Sequence, residues 1–540
     1  MQWIAIADAS TVHLVGLGLE HETVGEAVQT ASDGDVIEIH AGLGAQRGAY
    51  RERVTLSGRR LTFVGVKGTP VLEPPEGSPG QGVFAISNAS EVTIDNVILD
   101  GRVEQRLLRV SGSGSTTLRN SELRNGRFPG GGAGYVTNAA TLIIEDSVLR
   151  DNLSDTVGGA LQADGGDVTV VRTTLQDNFA QMDGGALYCN NGGVCRIRES
   201  SFVGNEALSQ AGAVDCRTAT CDIADSVFQD NLAFNGDGGA IRSGSQGTLT
   251  VDHSWFCRNR GNDGGAVWVR APGSRIRHTV FLANEAQFTS GAIRLVGLDM
   301  TVENNNFLGN EAPLSAAAHV GPGADVRFVR NIVMDHMKSA PLGAADTGIL
   351  TLETNLFHNN APGGITEPMA VDGDPQFLSL DYTLCAANLL TLQPGSAALD
   401  QDPTVVDDDG SAGDIGAFGP ACVPKPEIVA DGVDQDCDGG DLCYADADQD
   451  GRGESTEIPS KDLDCTDLGE ASVANDSCPH GPDDVDEDGD GLPDACAPTP
   501  PRGSRDADIV CGCAGGPAAP WLGFGAVALT VLRRRRRRYP

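Results

Sequence analysis

A short acidic segment in the C-terminal third, DADQDGRGESTE, has the clearest metal-binding pattern in the sequence. Its carboxylates alternate, so their oxygens can turn toward one centre, and a glycine at the sixth position allows the sharp turn that a calcium loop requires. A glutamate closes the segment at the twelfth position, where such loops place a bidentate ligand. The spacing predicts Ca²⁺ bound by Asp446, Asp448, Asp450, the carbonyl of Arg452, Glu454 and Glu457.

Two other segments, DQDCDGGD and DVDEDGDGLPD, share the alternating aspartates but lack the terminal glutamate. They resemble thrombospondin type 3 repeats, and that resemblance implies that calcium and disulfide bonds replace a hydrophobic core. The alternative is a solvated acidic linker, because residues 431–494 contain 22 acidic and 2 basic side chains. The additional candidate calcium ligands are Asp434, Asp436, Asp438, Asp484, Asp486, Asp488, Asp490 and Asp494.

A second set of candidate residues recurs within a repeat in the first two thirds of the chain. Each stands two positions after the alanine of a Gly-Gly-Ala or Gly-Ala element, and alternation with an apolar neighbour turns it outward on a strand. Such a column could bind an extended glycan through aromatic stacking and bidentate hydrogen bonds. The alternative is an ordinary solvated sheet face. The column consists of Gln162, Tyr188, Asp215, Arg242, Trp268 and Arg294.

Several enzyme classes leave no motif in the sequence. No paired-carboxylate arrangement of a glycosidase stands out, although the spacing of a coiled fold hides such pairs. The Asp-Asp and Gly-His-Gly motifs of polygalacturonases, Gly-x-Ser-x-Gly, His-Glu-x-x-His and a phosphate loop are absent. The nine histidines are scattered, and His253 and His278 are interpreted as stacked surface residues.

The elements that must position the column repeat with a period of 25 to 28 residues. Without a helical pattern, such a period indicates a solenoid of short strands. An apolar residue stands five positions before the terminal Phe or Leu of each repeat. A leucine-rich repeat is excluded, because it would show leucine at fixed short spacings. The last asparagines of the repeats are Asn152, Asn178, Asn205, Asn231, Asn259, Asn284 and Asn310.

This pattern predicts an all-β fold, a right-handed parallel β-helix with one rung per repeat. Equivalent residues would stack about 4.8 Å apart. Phe and Leu would form an internal ladder, and the asparagines would hydrogen-bond turn backbone that is otherwise buried without partners. Gly-Gly would permit the tight corner and the alanine would fit inside it.

The Gly-Gly-Ala and Phe-x-x-Asn elements of residues 130–365 resemble those of chlamydial polymorphic outer-membrane proteins and other surface β-helices. Upstream, TVGEAVQTASDGDVIEIHAG resembles the start of pectate-lyase-type helices, which implies an amphipathic capping helix from Val24 to Ala31. Downstream, DPQFLSLDYTLCAANLLTLQPGSAALD with DIGAFG resembles the closing region of bacterial surface β-helices. We expect the chain to differ from the polymorphic proteins in lacking their C-terminal membrane barrel.

Four cysteines occupy matching positions in adjacent repeats. Cys189 and Cys216 fall in one inward column and Cys195 and Cys221 in another. A rung spacing of about 4.8 Å lies within the Cα separation that a disulfide needs. Bridges between rungs, bridges within each rung and four buried thiols are all compatible with this spacing.

The extreme C-terminus reads CGCAGGPAAPWLGFGAVALTVLRRRRRRYP. The segment from Ala514 to Leu532 is just long enough to span a bilayer, and the six arginines that follow would stay cytoplasmic. The arrangement resembles the sorting tails of myxobacterial surface proteins, which implies transient membrane insertion, removal of the tail, and Cys511 or Cys513 as the lipid-attachment site. The alternative is a basic apolar tail that arose by chance.

Composition restricts the partners and the compartment. The formal net charge of −37 excludes nucleic acid as a partner, because phosphates require a basic face. Fourteen cysteines favour an oxidising compartment, so we expect export to the cell envelope or outer surface. The segment MQWIAIADASTVHLVGLG has no basic or convincing apolar signal region. Either the protein is exported by another route or its natural start lies upstream of Met1. We favour the upstream start.

The sequence thus predicts five segments and two candidate functions. Residues 1–22 form an N-terminal segment, 23–420 the β-helix with its cap and closing region, 421–497 the calcium repeats, 498–513 a linker, and 514–540 the sorting tail. We predict a surface-anchored protein for adhesion, envelope structure or glycan binding. The alternative is a polysaccharide lyase or glycoside hydrolase on the same scaffold, which the fold alone does not distinguish.

Overall fold

Each repeat forms one turn of a coil whose strands pair in parallel with the equivalent strands of adjacent turns. Three long sheets run along the coil, and a fourth sheet of short strands lies at one corner. The computed structural model describes residues 10–75, 82–103, 105–368, 370–383, 385, 390–406, 412–417, 442–445, 457–459 and 470–471.

The strands of the four sheets have the following bounds. Sheet 1 has 14 strands: Val12–Val15, Val36–His40, Arg60–Val66, Glu91–Asp95, Ser115–Arg119, Thr141–Glu145, Asp167–Val171, Val194–Arg198, Thr220–Ala224, Leu249–Asp252, Arg275–Arg277, Met300–Glu303, Asp325–Val329 and Ile349–Glu353. Sheet 2 has 12: Val54–Ser57, Phe84–Ser87, Leu108–Ser111, Gly134–Thr137, Leu161–Asp164, Leu187–Asn190, Val214–Cys216, Ile241–Ser243, Val267–Val269, Ile293–Leu295, Ala318–Val320 and Leu342–Ala344. Sheet 3 has 14: Tyr50–Arg51, Val71–Glu73, Ile98–Asp100, Glu122–Arg124, Val148–Arg150, Thr174–Gln176, Ser201–Val203, Val227–Gln229, Trp255–Cys257, Val280–Leu282, Asn306–Leu308, Ile332–Met334, Leu356–His358 and Val371–Asp372. Sheet 4 has six: Leu153–Ser154, Phe179–Ala180, Glu206–Ala207, Leu232–Ala233, Arg260–Gly261 and Glu285–Ala286.

One helix, α1 (Val24–Thr30), lies among the described residues at the N-terminal end of the coil. Thr23 and Glu26 form a capping box that satisfies two backbone N–H groups at the start of the helix. Val24, Ala27 and Val28 are buried in the same core as the strands. The predicted capping helix is therefore present, one residue shorter than expected.

The core of the coil is a stack of like residues. Five phenylalanines of sheet 3 stack with ring centroids 4.8 to 5.1 Å apart, as predicted for the internal ladder. Their alignment follows from parallel pairing in register, because each Cα lies directly beside its equivalent on the next turn. These residues are Phe202, Phe228, Phe256, Phe281 and Phe307.

The repeated asparagines form a second internal ladder. Along the series, each Nδ2 donates to the backbone carbonyl of a residue in sheet 3, at 2.8 to 3.0 Å. From Asn152 to Asn284, the same Nδ2 also donates to the Oδ1 of the next asparagine, at 2.9 to 3.0 Å. The asparagines are at most 1% exposed, so they satisfy backbone groups in the interior as predicted.

The Gly-Gly-Ala element forms the corner before four strands of sheet 2, which begin at Leu161, Leu187, Ile241 and Val267. Gly238 has a backbone φ of +69°, a conformation that residues with a Cβ rarely adopt. A Cβ on Gly239 would lie 1.9 Å from the carbonyl oxygen of Gly265. The following Ala240 is fully buried. The corner of this turn therefore requires both glycines and a small third residue, which agrees with the prediction. Other turns have Ala211 or Ser290 in place of the first glycine.

The cysteines pair within rungs. Cys189 is bonded to Cys195 and Cys216 to Cys221, so each bridge joins sheet 2 to sheet 1 inside one turn. The columns are stacked in register as predicted, yet the bridges run across the corner rather than between rungs.

A third bridge, Cys257–Cys385, was not predicted. It ties a rung to the segment that follows the coil. Leu390, Leu392 and Ile415 of that segment pack on outward-facing residues of sheet 3. The closing region thus covers the outer face of sheet 3, which the sequence did not indicate.

The chain divides into residues 1–425 and residues 426–540. In the second unit the described strands Leu442–Ala445, Glu457–Pro459 and Glu470–Ala471 form an antiparallel sheet, and Cys443 is buried and disulfide-bonded. Across residues 10–471, wherever the structure describes them, no helix is long and apolar enough to cross a membrane. The predicted tail, residues 514–540, lies outside the described residues.

Candidate functional site

The predicted column lies in register on the outer face of sheet 2. Gln162, Tyr188, Asp215, Arg242, Trp268 and Arg294 are direct neighbours across six consecutive turns. His319 extends the series by one turn. The residues between them, such as Leu187 and Val267, are fully buried in the core, so alternation turns the column away from the core as expected. We call these seven residues the face column: Gln162, Tyr188, Asp215, Arg242, Trp268, Arg294 and His319.

The face column is less exposed than the sequence suggested. Tyr188 and Trp268 are each only 8% exposed, and long side chains of neighbouring residues lie over the ring of Trp268. The guanidinium carbon of Arg242 lies 5.1 Å from the centroid of the indole ring of Trp268, and that of Arg270 lies 5.3 Å from it. The two aromatic rings are therefore not open stacking platforms, which differs from the expectation of a freely exposed aromatic ladder.

Asp215 is the most enclosed charged group of the face column. Its side chain is fully buried, with Nη1 of Arg242 3.4 Å from Oδ1 and Nη1 of Arg217 4.0 Å from Oδ2. Burial raises the pKa of Asp215 to about 7, even though the two arginines act to lower it. Burial, followed by the charge of Asp215, also raises the pKa of Tyr188 to about 12. The carboxyl group of Asp215 therefore titrates near neutral pH.

A second series of polar residues runs beside the face column on the turns that precede sheet 2. Oδ1 of Asp183 accepts the backbone N–H of Gln210, and Oδ1 of Asp263 accepts the backbone N–H of Thr289, both at 3.1 Å. Oδ2 of Asp183 also accepts a hydrogen bond from Arg217 at 3.2 Å. We call this series the turn column; its members are Asp183, Gln210, Asp237, Asp263 and Thr289.

The two columns are electrostatically coupled. Burial and the nearby carboxylate of Asp263 raise the pKa of Asp237, while Arg242 and Arg294 act in the opposite direction. Burial, followed by the charge of Arg294, lowers the pKa of His319 to about 4, so this imidazole is neutral at pH 7. Aspartates and arginines therefore lie side by side on this face, so that carboxylate and guanidinium groups are both present.

Two donors of the face column have no acceptor among the described residues. They are Nε of Arg242 and Nη1 of Arg294, and both atoms are buried. A buried guanidinium donor that lacks an acceptor is costly, so such positions call for a water molecule or a ligand oxygen. The two arginines flank Trp268 on the adjacent turns.

A series of exposed apolar residues stands one to three positions before the turn-column position in several repeats. Phe234 and Phe288 are 56% and 58% exposed, respectively, far more than the aromatic residues of the face column. They lie on the turns before the strands that carry Arg242 and Arg294. We call this series the apolar rim; it consists of Met182, Leu208, Phe234, Phe288 and Leu314.

Sequence reasoning missed the turn column and the apolar rim. The signal for three members of the turn column was present, since an aspartate directly precedes Gly-Gly-Ala at Asp183, Asp237 and Asp263. The rim has no fixed residue type, which explains why it leaves only a weak trace in the repeat.

The predicted calcium ligands fall almost entirely outside the described residues. These are Asp434, Asp436, Asp438, Asp446, Asp448, Asp450, Arg452, Glu454, Asp484, Asp486, Asp488, Asp490 and Asp494. Of Glu457 only the backbone is described, in a strand where it pairs with Tyr444. The segment that connects these two paired residues is the predicted calcium loop.

His253 and His278 stack on the surface, with ring centroids 4.7 Å apart. Asp252 Oδ1 lies 3.0 Å from the Nδ1 atom of each ring. The two histidines are 54% and 35% exposed in their side chains, which agrees with their interpretation as stacked surface residues.

Comparison with known proteins agrees with this architecture. A family model described as a right-handed β-helix region matches residues 76–223. The chain folds as a right-handed parallel β-helix. No curated protein matches the sequence.

Solved structures with a related coil include several polysaccharide-degrading enzymes, all at low similarity. A PL6 alginate lyase in complex with a trisaccharide shows 12% identity and a TM-score of 0.36, over 77% of this chain and 96% of the lyase. The pectate lyase Pel9A shows 16% identity and a TM-score of 0.30, over 77% and 98%. The catalytic unit of a GH87 α-1,3-glucanase from Streptomyces thermodiastaticus shows 13% identity and a TM-score of 0.34, over 68% and 70%. At these values the similarities say nothing about the activity of this β-helix.

Proposed function

We propose that this β-helix binds a polysaccharide along the outer face of sheet 2, between the face column and the apolar rim. The observation that carries the proposal is a pair of buried guanidinium donors that have no acceptor in the part of the chain that the structure describes. They are Nε of Arg242 and Nη1 of Arg294, on either side of Trp268. Both arginine side chains are only partly buried, so a rotation of each would bring these nitrogen atoms to oxygen atoms of a sugar. Planar guanidinium groups suit paired hydroxyl or carboxylate oxygens.

The neighbouring groups support a sugar rather than a simple anion. Carboxylates of the turn column can accept hydrogen bonds from hydroxyl groups, while the arginines donate, and sugars offer both kinds of partner. Phe234 and Phe288 present exposed rings to the apolar faces of sugar units. The rung spacing of about 4.8 Å repeats these contacts along a line, as an extended polymer requires.

A second candidate function is cleavage of the same polymer by a lyase or hydrolase reaction. It is favoured by Asp215, whose pKa of about 7 suits proton transfer near neutral pH. Against it stands the full burial of this carboxyl beneath Arg217 and Arg242, which keeps it from direct contact with a substrate. Binding is therefore the first proposal and catalysis the second.

The remaining parts of the chain fit a surface protein. Three disulfide bonds among the described residues of the first unit suit an oxidising compartment, which supports export. We further propose that Ca²⁺ bound by the acidic repeats stiffens the segment after the β-helix, and that the C-terminal tail attaches the protein to the cell envelope. An adhesive or structural role would then follow from glycan binding at a distance from the membrane.

The experiment is a screen of the purified chain against immobilised neutral and uronate polysaccharides. Retention without products supports binding, whereas unsaturated products or new reducing ends support the lyase or the hydrolase. The variant Phe234→Ala, Phe288→Ala should weaken retention without unfolding the coil, because both rings are exposed. Met337→Ala, at a residue 64% exposed outside the rim, is the matched control. Absence of retention on every polymer would refute the proposal.

A further inference from the structure

A compact cluster of possible metal ligands lies at the N-terminal end of the β-helix, apart from the face column. Oε1 of Glu20 lies 3.8 Å from Nδ1 of His13 and 3.4 Å from Nε2 of His21. One ligand atom from each residue falls within 4.8 Å of the other two. Two imidazole nitrogens and one carboxylate oxygen therefore converge on a single point.

The backbone fixes this arrangement. The N–H of Gly16 donates to the carbonyl of His21 at 2.8 Å, and the N–H of His21 donates to the carbonyl of Leu14 at 3.0 Å, which closes the loop that carries Glu20. The N–H of Leu14 donates to Oε2 of Glu20 at 3.3 Å. Because one carboxylate oxygen is held by the backbone, the other is directed at the two imidazoles.

His13 supplies the observation that points to a ligand. Its Nε2 lies 3.1 Å from Oδ2 of Asp35, and that carboxylate also accepts the backbone N–H groups of Thr11 and Ser32. A carboxylate that already accepts two N–H groups favours a proton on Nε2, which leaves the lone pair on Nδ1. This Nδ1 is buried and has no hydrogen-bond partner among the described residues, in a histidine only 6% exposed.

The spacing suits a tetrahedral zinc ion. Bonds of 2.0–2.2 Å to nitrogen and oxygen place tetrahedral ligand atoms about 3.3 Å apart. The observed distances of 3.4 and 3.8 Å are close to this value, and the half-exposed side chain of Glu20 can close the difference. Imidazole and carboxylate ligands favour zinc over the harder cations calcium and magnesium.

We propose that His13, Glu20 and His21 bind a Zn²⁺ ion, with Asp35 orienting His13. The ion pins the loop of residues 16–21 against sheet 1, beside helix α1. Nε2 of His21 would exchange its contact with Oγ1 of Thr30, now at 3.3 Å, for the metal. Thr30 keeps a hydrogen bond to the carbonyl of Ala27 at 3.0 Å. A fourth position on the exposed side of Glu20 is open to water.

The test is a zinc titration of the full chain, produced without a histidine tag and saturated with calcium to occupy the acidic repeats. A competing chromogenic chelator reports affinity, and thermal unfolding with and without zinc reports the coupling to the fold. His21→Gln and Glu20→Gln should each weaken the tightest zinc site about 100-fold or more and abolish the zinc-dependent rise in the unfolding temperature.

The control is His253→Gln, which removes the only other cluster of this kind that the described residues contain. It should bind zinc as the original chain does. Because Glu20 is an exposed loop residue, Glu20→Gln is informative even if the histidine variant misfolds. Equal zinc affinity in the original chain and Glu20→Gln, or loss of affinity in His253→Gln alone, would overturn the proposal.

Discussion

At the scale of single residues, two opposing effects set the pKa of Asp215, burial and the charge of neighbouring arginines. A buried carboxyl beside two arginines stays protonated to higher pH than an exposed one, because desolvation outweighs the attraction of the guanidinium groups. When Asp215 is protonated, it no longer attracts the guanidinium groups of Arg217 and Arg242 as an anion. Protonation of this one group thus links pH both to stability and to the charge of the site.

The first prediction concerns the pH dependence of stability. The folded-state pKa of Asp215, about 7, lies above its unfolded value, so the folded state binds the proton more tightly. The contribution of this group to stability is therefore largest below pH 4 and is lost as pH rises to 7, at about 1.4 kcal/mol per pKa unit. In chemical denaturation, Asp215→Asn should lack this loss. A parallel pH profile for the variant and the original chain would contradict the assignment.

Residue-scale features were predictable in part. Spacing from Gly-Gly-Ala placed Tyr188, Asp215 and Trp268 in one column, because a β-helix keeps like positions in register. Their burial was not predictable, since it depends on how the long side chains of Arg242 and Arg270 fold over their neighbours. Alternation in the sequence predicts which face of a sheet a side chain lies on. How exposed it is on that face depends on the conformations of side chains on adjacent turns.

At the scale of elements, the asparagine ladder connects each turn of the coil to the next. Asn231 donates to the carbonyl of Phe202 at 2.9 Å and to Oδ1 of Asn259 at 2.9 Å, and it accepts from Asn205. Every one of these groups is buried. Loss of one member removes hydrogen bonds from partners on both adjacent turns.

The second prediction therefore compares two asparagines of the same turn. Asn231→Ala should reduce the free energy of unfolding by about 3 kcal/mol or more, because each unsatisfied buried group costs about 1–3 kcal/mol. Asn235→Ala, at an exposed position four residues later, should change it by less than about 0.5 kcal/mol. Equal effects of the two substitutions in denaturant unfolding would show that the ladder is not a source of stability.

The repeat made the elements more predictable than their connections. Coil, corner and capping helix follow from spacing and from the residue types that those positions require. The bridge Cys257–Cys385 spans 128 residues and ends in a segment without the repeat, so no periodic signal could pair the two cysteines. For the same reason the cover of sheet 3 by Leu390, Leu392 and Ile415 could not be derived from the sequence.

At the scale of the whole molecule, the acidic charge is concentrated after the β-helix. The third prediction is that residues 431–496 become ordered only with calcium, because about twenty net negative charges repel one another where little apolar surface is available for burial. The strands around the loop of residues 446–457 hold its two ends together, which favours a bound ion. Hydrogen exchange in this segment should slow when millimolar calcium is added to chelated protein. Equal exchange in both conditions would indicate an acidic spacer.

The fourth prediction concerns the C-terminal tail. Six arginines cannot readily cross an energised membrane, so the tail should remain on the cytoplasmic side until it is removed. The mature protein should lack Trp521 and the arginine block and stay bound to the surface through Cys511 or Cys513. Mass spectrometry of surface-released protein checks this. A C-terminal epitope retained on the full-length surface protein would contradict processing, and a tail-deleted chain that stays on the surface would contradict anchoring.

The most direct test of the central claim is the affinity of the full chain for a retained polysaccharide, measured for three arginine variants. Arg242→Gln and Arg294→Gln remove donors on the outer face of sheet 2, whereas Arg275→Gln removes an exposed arginine of sheet 1. Hydrogen bonds to charged groups contribute about 1.5–3 kcal/mol, so the first two variants should each bind at least tenfold more weakly. Arg275→Gln should bind like the original chain. Unchanged affinity in Arg242→Gln and Arg294→Gln, with both variants folded, would show that the polysaccharide does not bind this face.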